Sequence, residues 1–227
     1  MNEPLDSDLF QPAILSEWAE LPLDVLWTRW ITSIQALGQI GLTFTQGPFD
    51  RERYEALLNI AAQMGSYASK QGFSDLKDHF QAEKGYATPK VDVRGAVFQD
   101  DAILLVKERA DQLWTLPGGW ADVNLTPRES VEKEIEEEAG YKSKAVKLLA
   151  LFDKSKHDHP PQWPYVYKCF FHCEIIGGKG QSGLETSEVG FFKRDELPPL
   201  STHRVTVSQI HRCFEHLHHP DWPTDFD

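Results

Sequence analysis

Six glutamates crowd a short stretch of the sequence, residues 127–139, and their spacing can bring three of them together. At about 100° per helical residue, Glu134, Glu137 and Glu138 fall within one arc beside an apolar stripe. Like charges three or four residues apart repel one another, and more strongly when they are partly buried. We place no Lys or Arg in the same arc. A bound cation with oxygen ligands, Mg²⁺ or Mn²⁺, is the simplest compensation.

The sequence around these glutamates specifies where their helix begins and ends. Thr126 and Glu129 match a capping box, with Pro127 at the first helical position. Gly140 suits a left-handed stop at the other end, and a Gly118-Gly119 turn precedes the helix. Most charge runs are solvated helical faces. Here the glycine turn, the capping box and the converging carboxylates together favour a metal-binding helix.

Composition narrows the class of protein. The chain has 227 residues, and 23 Lys and Arg against 35 Asp and Glu give a net charge of -12. This disfavours binding to DNA, whose affinity comes from basic residues. Three Cys cannot all pair, which indicates a reducing compartment. The N-terminus has no signal peptide pattern, and no apolar run approaches the roughly 18 residues of a membrane span. We therefore expect a cytoplasmic protein with no membrane partner.

The first part of the chain reads as helical. Apolar residues recur at three- and four-residue steps from Leu23 to Leu37, within a helical stretch at 16–68. Asp50 is a candidate N-cap for a second helix, and a third is expected near residues 74–81. Three short helices make a thin core. Because Trp27 and Trp30 are expected to be buried, this part should pack on the other domain or on a second copy, which suggests a homodimer.

The pattern changes after a polar linker near residues 83–89. Two strand-like runs flank Gln99-Asp100-Asp101 and predict a hairpin. Interleaved strands and helices indicate a sheet covered by helices, of the α/β or α+β class. The predicted strands are Val91–Phe98, Ala102–Lys107, Ala145–Phe152, Tyr165–Ile176 and Glu188–Phe192, and a closing helix includes Val207, Ile210, Phe214 and Leu217.

The turn and the acidic helix resemble the Nudix box, G-x5-E-x7-R-E-U-x-E-E-x-G-U, in which U is aliphatic. Three positions depart from it: Leu125 replaces the first Glu, Lys133 the Arg, and Tyr141 an aliphatic residue. In that family the first Glu and the Arg are thought to brace the loop against the helix. Losing both leaves no unpaired buried charge, so we expect a changed brace and retained activity. The matching positions are Gly119, Glu134, Ile135, Glu137, Glu138 and Gly140.

The resemblance extends over most of residues 20–215, including Leu151–Lys154, His157–Pro161 and Glu185–Phe192. These segments are similar to a Nudix subfamily whose members are usually ADP-ribose pyrophosphatases, some being like CDP-choline pyrophosphatases. The resemblance implies an α/β fold, a Nudix α/β/α sandwich with a mixed sheet, preceded by a small all-α domain. We expect the helical domain at 1–85 and the hydrolase domain at 86–227.

The resemblance also implies a divalent-metal-dependent cleavage of the pyrophosphate bond in a nucleoside diphosphate derivative. Metal ligands would be Glu134, Glu137, Glu138 and the carbonyl of Gly118, with lowered carboxyl pKa values when the metal is bound. A general base often comes from a later loop in this family. Glu185 and Glu188 are the candidates, with a slight preference for Glu188, although each by itself reads equally well as a solvated loop carboxylate. A box glutamate is the third option.

Candidates for substrate contact follow from side-chain chemistry. Arg94 and Arg109 could bind phosphate, although an ordinary surface Arg is the commoner case. Trp120 is one of several aromatics that could stack on a base, although a core or interface role is commoner. His157-Asp158-His159 could suggest a metal site, but the Pro-Pro that follows favours a loop on the substrate side.

Two other functions stay open on the sequence. A Nudix-fold ligand sensor without turnover is one, although such regulators usually add a basic DNA-binding module. A pyrophosphohydrolase acting on RNA ends is the other, and the missing basic patch counts against it.

Overall fold

The chain forms two compact units. A computed structural model describes residues 21–69, 72–160 and 162–227, and the two units are residues 1–87 and 88–227. The boundary predicted after residue 85 lies close to this division. The first part of the predicted helical stretch, residues 16–20, lies outside the described residues. Within the described ranges, no helix is long and apolar enough to cross a membrane.

The first unit contains three helices: α1 (Leu23–Phe44), α2 (Pro48–Ser69) and α3 (Phe73–Ala82). The predicted helices are confirmed, but the N-cap assigned to Asp50 is wrong. The second helix begins at Pro48, because proline has no N–H and its fixed φ suits the first helical turn. The core of this unit consists of Ile31, Leu58, Ala61, Ala62, Leu76 and Phe80.

The two tryptophans of α1, expected to be covered by the other domain or by a second copy, are not buried in the single chain. Trp27 and Trp30 are 39% and 36% exposed, and their rings contact each other edge to face at 5.7 Å between centroids. The apolar stripe of α1 is wider than the face that the unit covers, since Ile31 is buried while Leu37 is 61% exposed. Helical periodicity predicts the stripe but not how much of it a neighbour covers.

The second unit is built on a sheet, and the described residues form seven strands of it. Five of the strands were predicted, and all five extend by one to four residues at an end. The strands are β1 (Lys90–Gln99), β2 (Ala102–Glu108), β3 (Trp114–Thr115), β4 (Tyr141–Asp153), β5 (Val166–Gly178), β6 (Thr186–Lys193) and β7 (Asp225–Phe226).

The predicted hairpin is present but short. Asp100 and Asp101 both have positive φ, 50° and 58°, as in the tight turns that match strand twist. β1 and β2 pair only beside this turn. Beyond it, β1 runs parallel to β5 and β2 runs antiparallel to β6, so the sheet is mixed.

One helix packs into each of two apolar clusters of this sheet. The first helix is α4 (Pro127–Ala139) and the second is α5 (Val207–His218). The α4 cluster includes Val93, Val97, Leu104, Val131 and Ile135, and the α5 cluster includes Ala96, Leu105, Phe170, Ile210 and Phe214. Because neighbouring β1 residues alternate between the clusters, the two helices cover opposite sides. This confirms the predicted α/β/α sandwich.

Candidate active site

Helix α4 is held in place by its ends and by its apolar stripe. The Glu129 N–H donates to Thr126 Oγ1 at 3.2 Å, and the Glu129 carboxylate accepts from the Thr126 N–H at 2.8 Å. Gly140 takes the left-handed conformation, with φ 73°, that ends the helix. Val131 and Ile135 are fully buried. Their burial fixes the rotation of α4, so that Glu138 and Glu134 lie beside the packed side.

The turn before α4 requires glycine at position 118. Gly118 has φ 141°, and a Cβ there would lie 2.0 Å from the Val93 carbonyl oxygen. Its N–H donates to Glu138 Oε2 at 2.9 Å. The carbonyl of Gly119, the next residue, accepts from the Val93 N–H at 2.8 Å. The turn is therefore fixed both to β1 and to the carboxylate of Glu138.

The three predicted glutamates have different environments. Glu138 is buried, Glu134 is half-buried, and the Glu137 side chain is 57% exposed. Burial raises the pKa of Glu138 to about 8, although Arg94 and the Gly118 N–H oppose the shift, and the charge of Glu134 adds to it. Burial and the charge of Glu137 raise the pKa of Glu134. The carboxylates thus repel one another, as the helical spacing predicts.

The donor chemistry of this region suits a hard divalent cation. All the predicted donors are oxygens, and a Cβ at Gly119 would lie 3.0 Å from Glu134 Oε1, which places that carboxylate against the turn. Across the described ranges, no three His, Cys, Asp or Glu side chains stand close enough together to hold a metal ion. The ligand roles of Gly118, Glu134, Glu137 and Glu138 therefore stay predictions.

Lys133 lies closer to the glutamates than the sequence predicts, and it also provides the changed brace that we expect. Its Nζ lies 3.5 Å from Glu137 Oε2, so a cation does reach the arc of carboxylates, because a lysine side chain can span one helical turn. The same amine donates to Asp122 Oδ2 at 2.7 Å. This ion pair joins the loop before α4 to the helix, while Leu125 carries no charge. A different brace from the usual one is therefore present.

Arg94 is buried, which contradicts its expected place on the surface. Its guanidinium makes two hydrogen bonds to Asp92, at 2.9 and 2.7 Å, and one to the Leu116 carbonyl at 3.1 Å. Lys168 donates to the same Asp92 carboxylate at 2.6 Å. Burial by itself would raise the pKa of Asp92, but the two cations outweigh it and lower the pKa to about 2.

The sequence analysis did not predict that Asp92 and Lys168 form a buried ion pair. The signal was the alternation of Asp92 and Arg94 on a strand that is otherwise apolar, a pattern that buries a charged pair on one face. The register that sets Asp92 opposite Lys168 across β1 and β5 is a tertiary fact.

A second buried acid, Glu108 at the end of β2, was also missed. It is 5% exposed, and its Oε1 lies 3.1 Å from Arg204 Nε. The same arginine contacts Asp111 Oδ2 at 2.9 Å. Burial raises the pKa of Glu108 despite Arg204, and the charge of Glu108 contributes to the raised pKa of Glu138. Glu108 therefore belongs to the electrostatic environment of the glutamates.

The two candidate bases occupy different positions. Thr186 Oγ1 donates to the backbone carbonyl of Glu138 at 2.7 Å, so Glu185, one residue earlier, is held near the end of α4. The described residues offer the Glu185 carboxylate no hydrogen bond, and its charge contributes to the raised pKa of Glu108. Glu188, in contrast, accepts from Lys107 Nζ at 2.7 Å across β2 and β6.

The other substrate candidates do not form one group. Trp120 is 50% exposed and pairs with Asp92 through an isolated bridge. The Nε of Arg109 donates to the Leu184 carbonyl at 3.1 Å, in the loop that leads to β6. His157 packs on Phe152, with 4.2 Å between ring centroids, and its Nε2 lies 3.3 Å from Asp227 Oδ2. Their contacts with substrate stay predictions.

Comparisons with known proteins agree with this architecture. Residues 26–80 match a family model described as a UDP-X-like N-terminal oligomerisation domain, and residues 88–212 match the NUDIX domain. A protein of Bacillus subtilis (strain 168) named putative ADP-ribose pyrophosphatase YjhB is 47% identical over 203 residues, covering 88% of this chain and 98% of its own.

Two solved structures are also similar. A UDP-X diphosphatase is 34% identical with a TM-score of 0.58, and the match covers 90% of this chain and 99% of that one. An ADP-ribose pyrophosphatase of Streptococcus suis 89-1591 is 44% identical with a TM-score of 0.57, over 62% of this chain and all of that one (100%). The chain belongs to the Nudix family and is a Nudix hydrolase with a helical N-terminal domain of the UDP-X-like type.

Proposed function

We propose that the protein hydrolyses the pyrophosphate bond of a nucleoside diphosphate derivative of the ADP-ribose type, with Mg²⁺ or Mn²⁺. The observation that carries the proposal is the buried Glu138 carboxylate, bound to the Gly118 N–H and next to Glu134. A carboxylate in such a place is costly to ionise unless a cation compensates it. The names of the Bacillus subtilis and Streptococcus suis relatives support the substrate class.

The residues that would hold the metal are Glu134, Glu137, Glu138 and the Gly118 carbonyl. When bound, the metal supplies neutralisation of the diphosphate oxygens and a lower pKa for the attacking water. The chain itself fixes the geometry: the Gly118 turn orients Glu138, and the ion pair of Lys133 with Asp122 holds the loop against α4. Glycine at 118 allows the backbone to approach β1 closely.

In the reaction, water attacks one phosphorus, the bridging P–O bond breaks, and the products are a nucleotide and a phosphorylated second group. A carboxylate must accept a proton from that water. We propose Glu185 for this role ahead of Glu188, which the sequence slightly preferred. The hydrogen bond from Thr186 holds the Glu185 segment beside Glu138, whereas Glu188 is bound to Lys107. A box glutamate remains the alternative base.

We also propose that the protein is a homodimer of a reducing, cytoplasmic compartment. The apolar side chains left exposed in the helical unit support the dimer, as does the description of the matching N-terminal family model. Cys169, Cys173 and Cys213 are free and buried, which fits a reducing environment.

The test compares Glu138→Gln with Glu136→Gln, an exposed glutamate of the same helix. With ADP-ribose and Mg²⁺, Glu138→Gln should lose at least about a hundredfold in kcat/KM, as expected for a lost metal ligand. Mg²⁺ should also raise the Tm of the wild type more than that of Glu138→Gln, because binding stabilises the folded state. Glu136→Gln should behave like the wild type in both measurements.

The same assay separates the alternatives. A wild type that binds ADP-ribose without turnover would be a sensor, and a wild type that releases phosphate only from triphosphorylated RNA would act on RNA ends. Wild-type activity in Glu138→Gln would refute the role of this glutamate. Comparing Glu185→Gln with Glu188→Gln tests the base, and we expect the larger fall in kcat from the former.

A further inference from the structure

The loop between β5 and β6, residues 179–185, is fixed to the helix that carries the glutamates. Two of its N–H groups donate to carbonyls at the C-terminal end of α4, at 3.2 and 2.9 Å. The two backbones also touch, since a Cβ on Gly183 would lie 1.9 Å from the carbonyl oxygen of Glu137. Leu184 follows Gly183 directly, and consecutive Cα atoms are about 3.8 Å apart. Leu184 is therefore within reach of a ligand that the glutamates hold.

The same loop is held from its other side by β2. The N–H of Arg109, the residue after β2, donates to the Glu185 carbonyl at 2.8 Å. The side chain of Arg109 donates through Nε to the Leu184 carbonyl at 3.1 Å. Backbone groups on both sides of Leu184 are thus bound, to α4 on one side and to Arg109 on the other. The position of this part of the loop is therefore fixed before any ligand binds.

The side chain of Leu184 is nevertheless open to solvent. Its exposed fraction is 96%, the highest of the large apolar side chains within the described ranges. Because its backbone is bound on both sides, the loop cannot turn this side chain inwards without breaking hydrogen bonds. Covering an exposed leucine with an apolar surface is favourable, since it removes that area from water. Leu184 therefore offers a fixed apolar contact at the edge of the glutamate site.

Arg109 has a guanidinium that is oriented but not neutralised. Among the described residues, no carboxylate lies within ion-pair distance of it. Other cations near α4 are already compensated, since Lys133 pairs with Asp122 and Arg94 pairs with Asp92. The bond of Arg109 to the loop uses only Nε, so its two terminal nitrogens stay available for a ligand. An arginine fork of this kind matches two oxygens of a phosphate group.

We propose that Arg109 and Leu184 bind the nucleotide half of the substrate, Arg109 through a phosphate and Leu184 through the face of the nucleobase. A nucleotide carries a flat apolar base and a phosphate on one ribose, so a single ligand can contact both side chains. The second group of a substrate of the ADP-ribose type is a polar sugar, which gains little from contact with a leucine. The inference rests on the proposed function, because it assigns specificity residues to the same reaction.

Steady-state kinetics with ADP-ribose give the first test. Leu184→Ser should raise KM about fivefold with little change in kcat, because it removes an apolar contact and no reacting group. Arg109→Gln should raise KM about tenfold, since it removes charge-assisted hydrogen bonds, and Arg109→Lys should restore only part of the loss because lysine lacks the fork. Val146→Ser and Lys193→Gln, at exposed positions of β4 and β6, are the matched controls and should behave like the wild type.

A binding measurement separates the two contacts without metal or turnover. NMR titrations in EDTA compare AMP with ribose 5-phosphate, which carries the phosphate but no base. The wild type should bind AMP more tightly than ribose 5-phosphate. Leu184→Ser should weaken the binding of AMP about fivefold and leave that of ribose 5-phosphate unchanged, whereas Arg109→Gln should weaken both. Equal affinity of the wild type for the two compounds would overturn the inference, as would an unchanged affinity for AMP in Leu184→Ser.

Failure of the proposed function has a different signature. A wild type that hydrolyses no nucleoside diphosphate derivative refutes the proposed function, and the NMR titrations still decide the contacts of Arg109 and Leu184. If Leu184→Ser changes the mass measured by light scattering but not the affinity for AMP, the leucine serves a contact between copies and the inference is wrong.

Discussion

At the scale of single residues, the partners of a buried carboxylate decide the direction in which its pKa shifts. Burial raises the pKa of Glu138 to about 8, whereas Asp92, equally enclosed, falls to about 2 because two cations bind it. The difference lies in the partners, since Arg94 and Lys168 both donate hydrogen bonds to the carboxylate of Asp92 and neither donates one to that of Glu138. The carboxylate of Asp92 is therefore compensated by two bound cations, whereas that of Glu138 is not.

Replacing Asp92 by Asn tests this buried network. The change leaves Arg94 and Lys168 buried without a carboxylate, and we expect the free energy of unfolding to fall by about 3 kcal/mol. Urea denaturation at pH 7 measures it. Asp221→Asn, at an exposed position of the same unit, is the control and should change little. A variant as stable as the wild type would contradict the role of Asp92.

The same carboxylate predicts a dependence on pH. Its pKa is about 2 when folded and 3.8 in its ordinary range, so the unfolded chain binds more protons between these values. The stabilisation is therefore complete above about pH 4 and is lost as the pH falls towards 2. It amounts to about 2 kcal/mol, since one pKa unit is about 1.4 kcal/mol. Urea denaturation from pH 5 to pH 2.5 should show this slope, and Asp92→Asn should lack this part of it.

At the scale of elements, α4 and the segments around it together position the glutamates. The capping box and Gly140 fix its ends, and Val131 and Ile135 fix its rotation. The N–H groups of Lys179 and Gln181 donate to carbonyls at its C-terminal end, at 3.2 and 2.9 Å. The glutamates are therefore positioned by backbone contacts on both sides of the helix and not by the helix alone.

Replacing Gly118 by Ala tests the turn. A Cβ would lie 2.0 Å from the Val93 carbonyl oxygen at a φ of 141°, which an L-residue rarely adopts. We expect the free energy of unfolding to fall by about 2 kcal/mol or more, and kcat to fall because the bond to Glu138 shifts. Gly177→Ala, where the nearest atom to a Cβ is 3.9 Å away, is the control for thermal denaturation and kinetics. Wild-type values in Gly118→Ala would show that the turn can relax.

At the scale of the whole molecule, the helical unit exposes several large apolar side chains. Each of them has more than half of its surface exposed, and an apolar patch of this kind can mark a site of protein–protein contact. A partner that covers these side chains would remove the free-energy cost of exposing them to water. These side chains are Leu23, Leu37, Phe44, Phe49 and Tyr67.

The prediction is a homodimer that depends on this surface. Light scattering should give the wild type twice the mass of the 25.9 kDa chain. Leu37→Asp should shift it towards the single-chain mass, because an interface disfavours an unpaired charge. Val207→Asp, at the exposed start of α5 where an acid is tolerated, should leave the mass unchanged. A wild type with the mass of one chain would contradict the prediction.

The sequence by itself determined what depends on neighbouring residues. The bounds of α4 and the glycine turn before it follow from local capping, and the structure keeps them. The convergence of Glu134, Glu137 and Glu138 on a metal ion follows from helical periodicity and stays a prediction. The tertiary structure decided the features that depend on residues distant in the sequence. The burial of Arg94, its link to Lys168 through Asp92, the Lys133 brace and the exposure of Trp27 arise from strand register and packing between elements. Local sequence encodes the direction of a side chain, but only the folded chain fixes which partner lies opposite it.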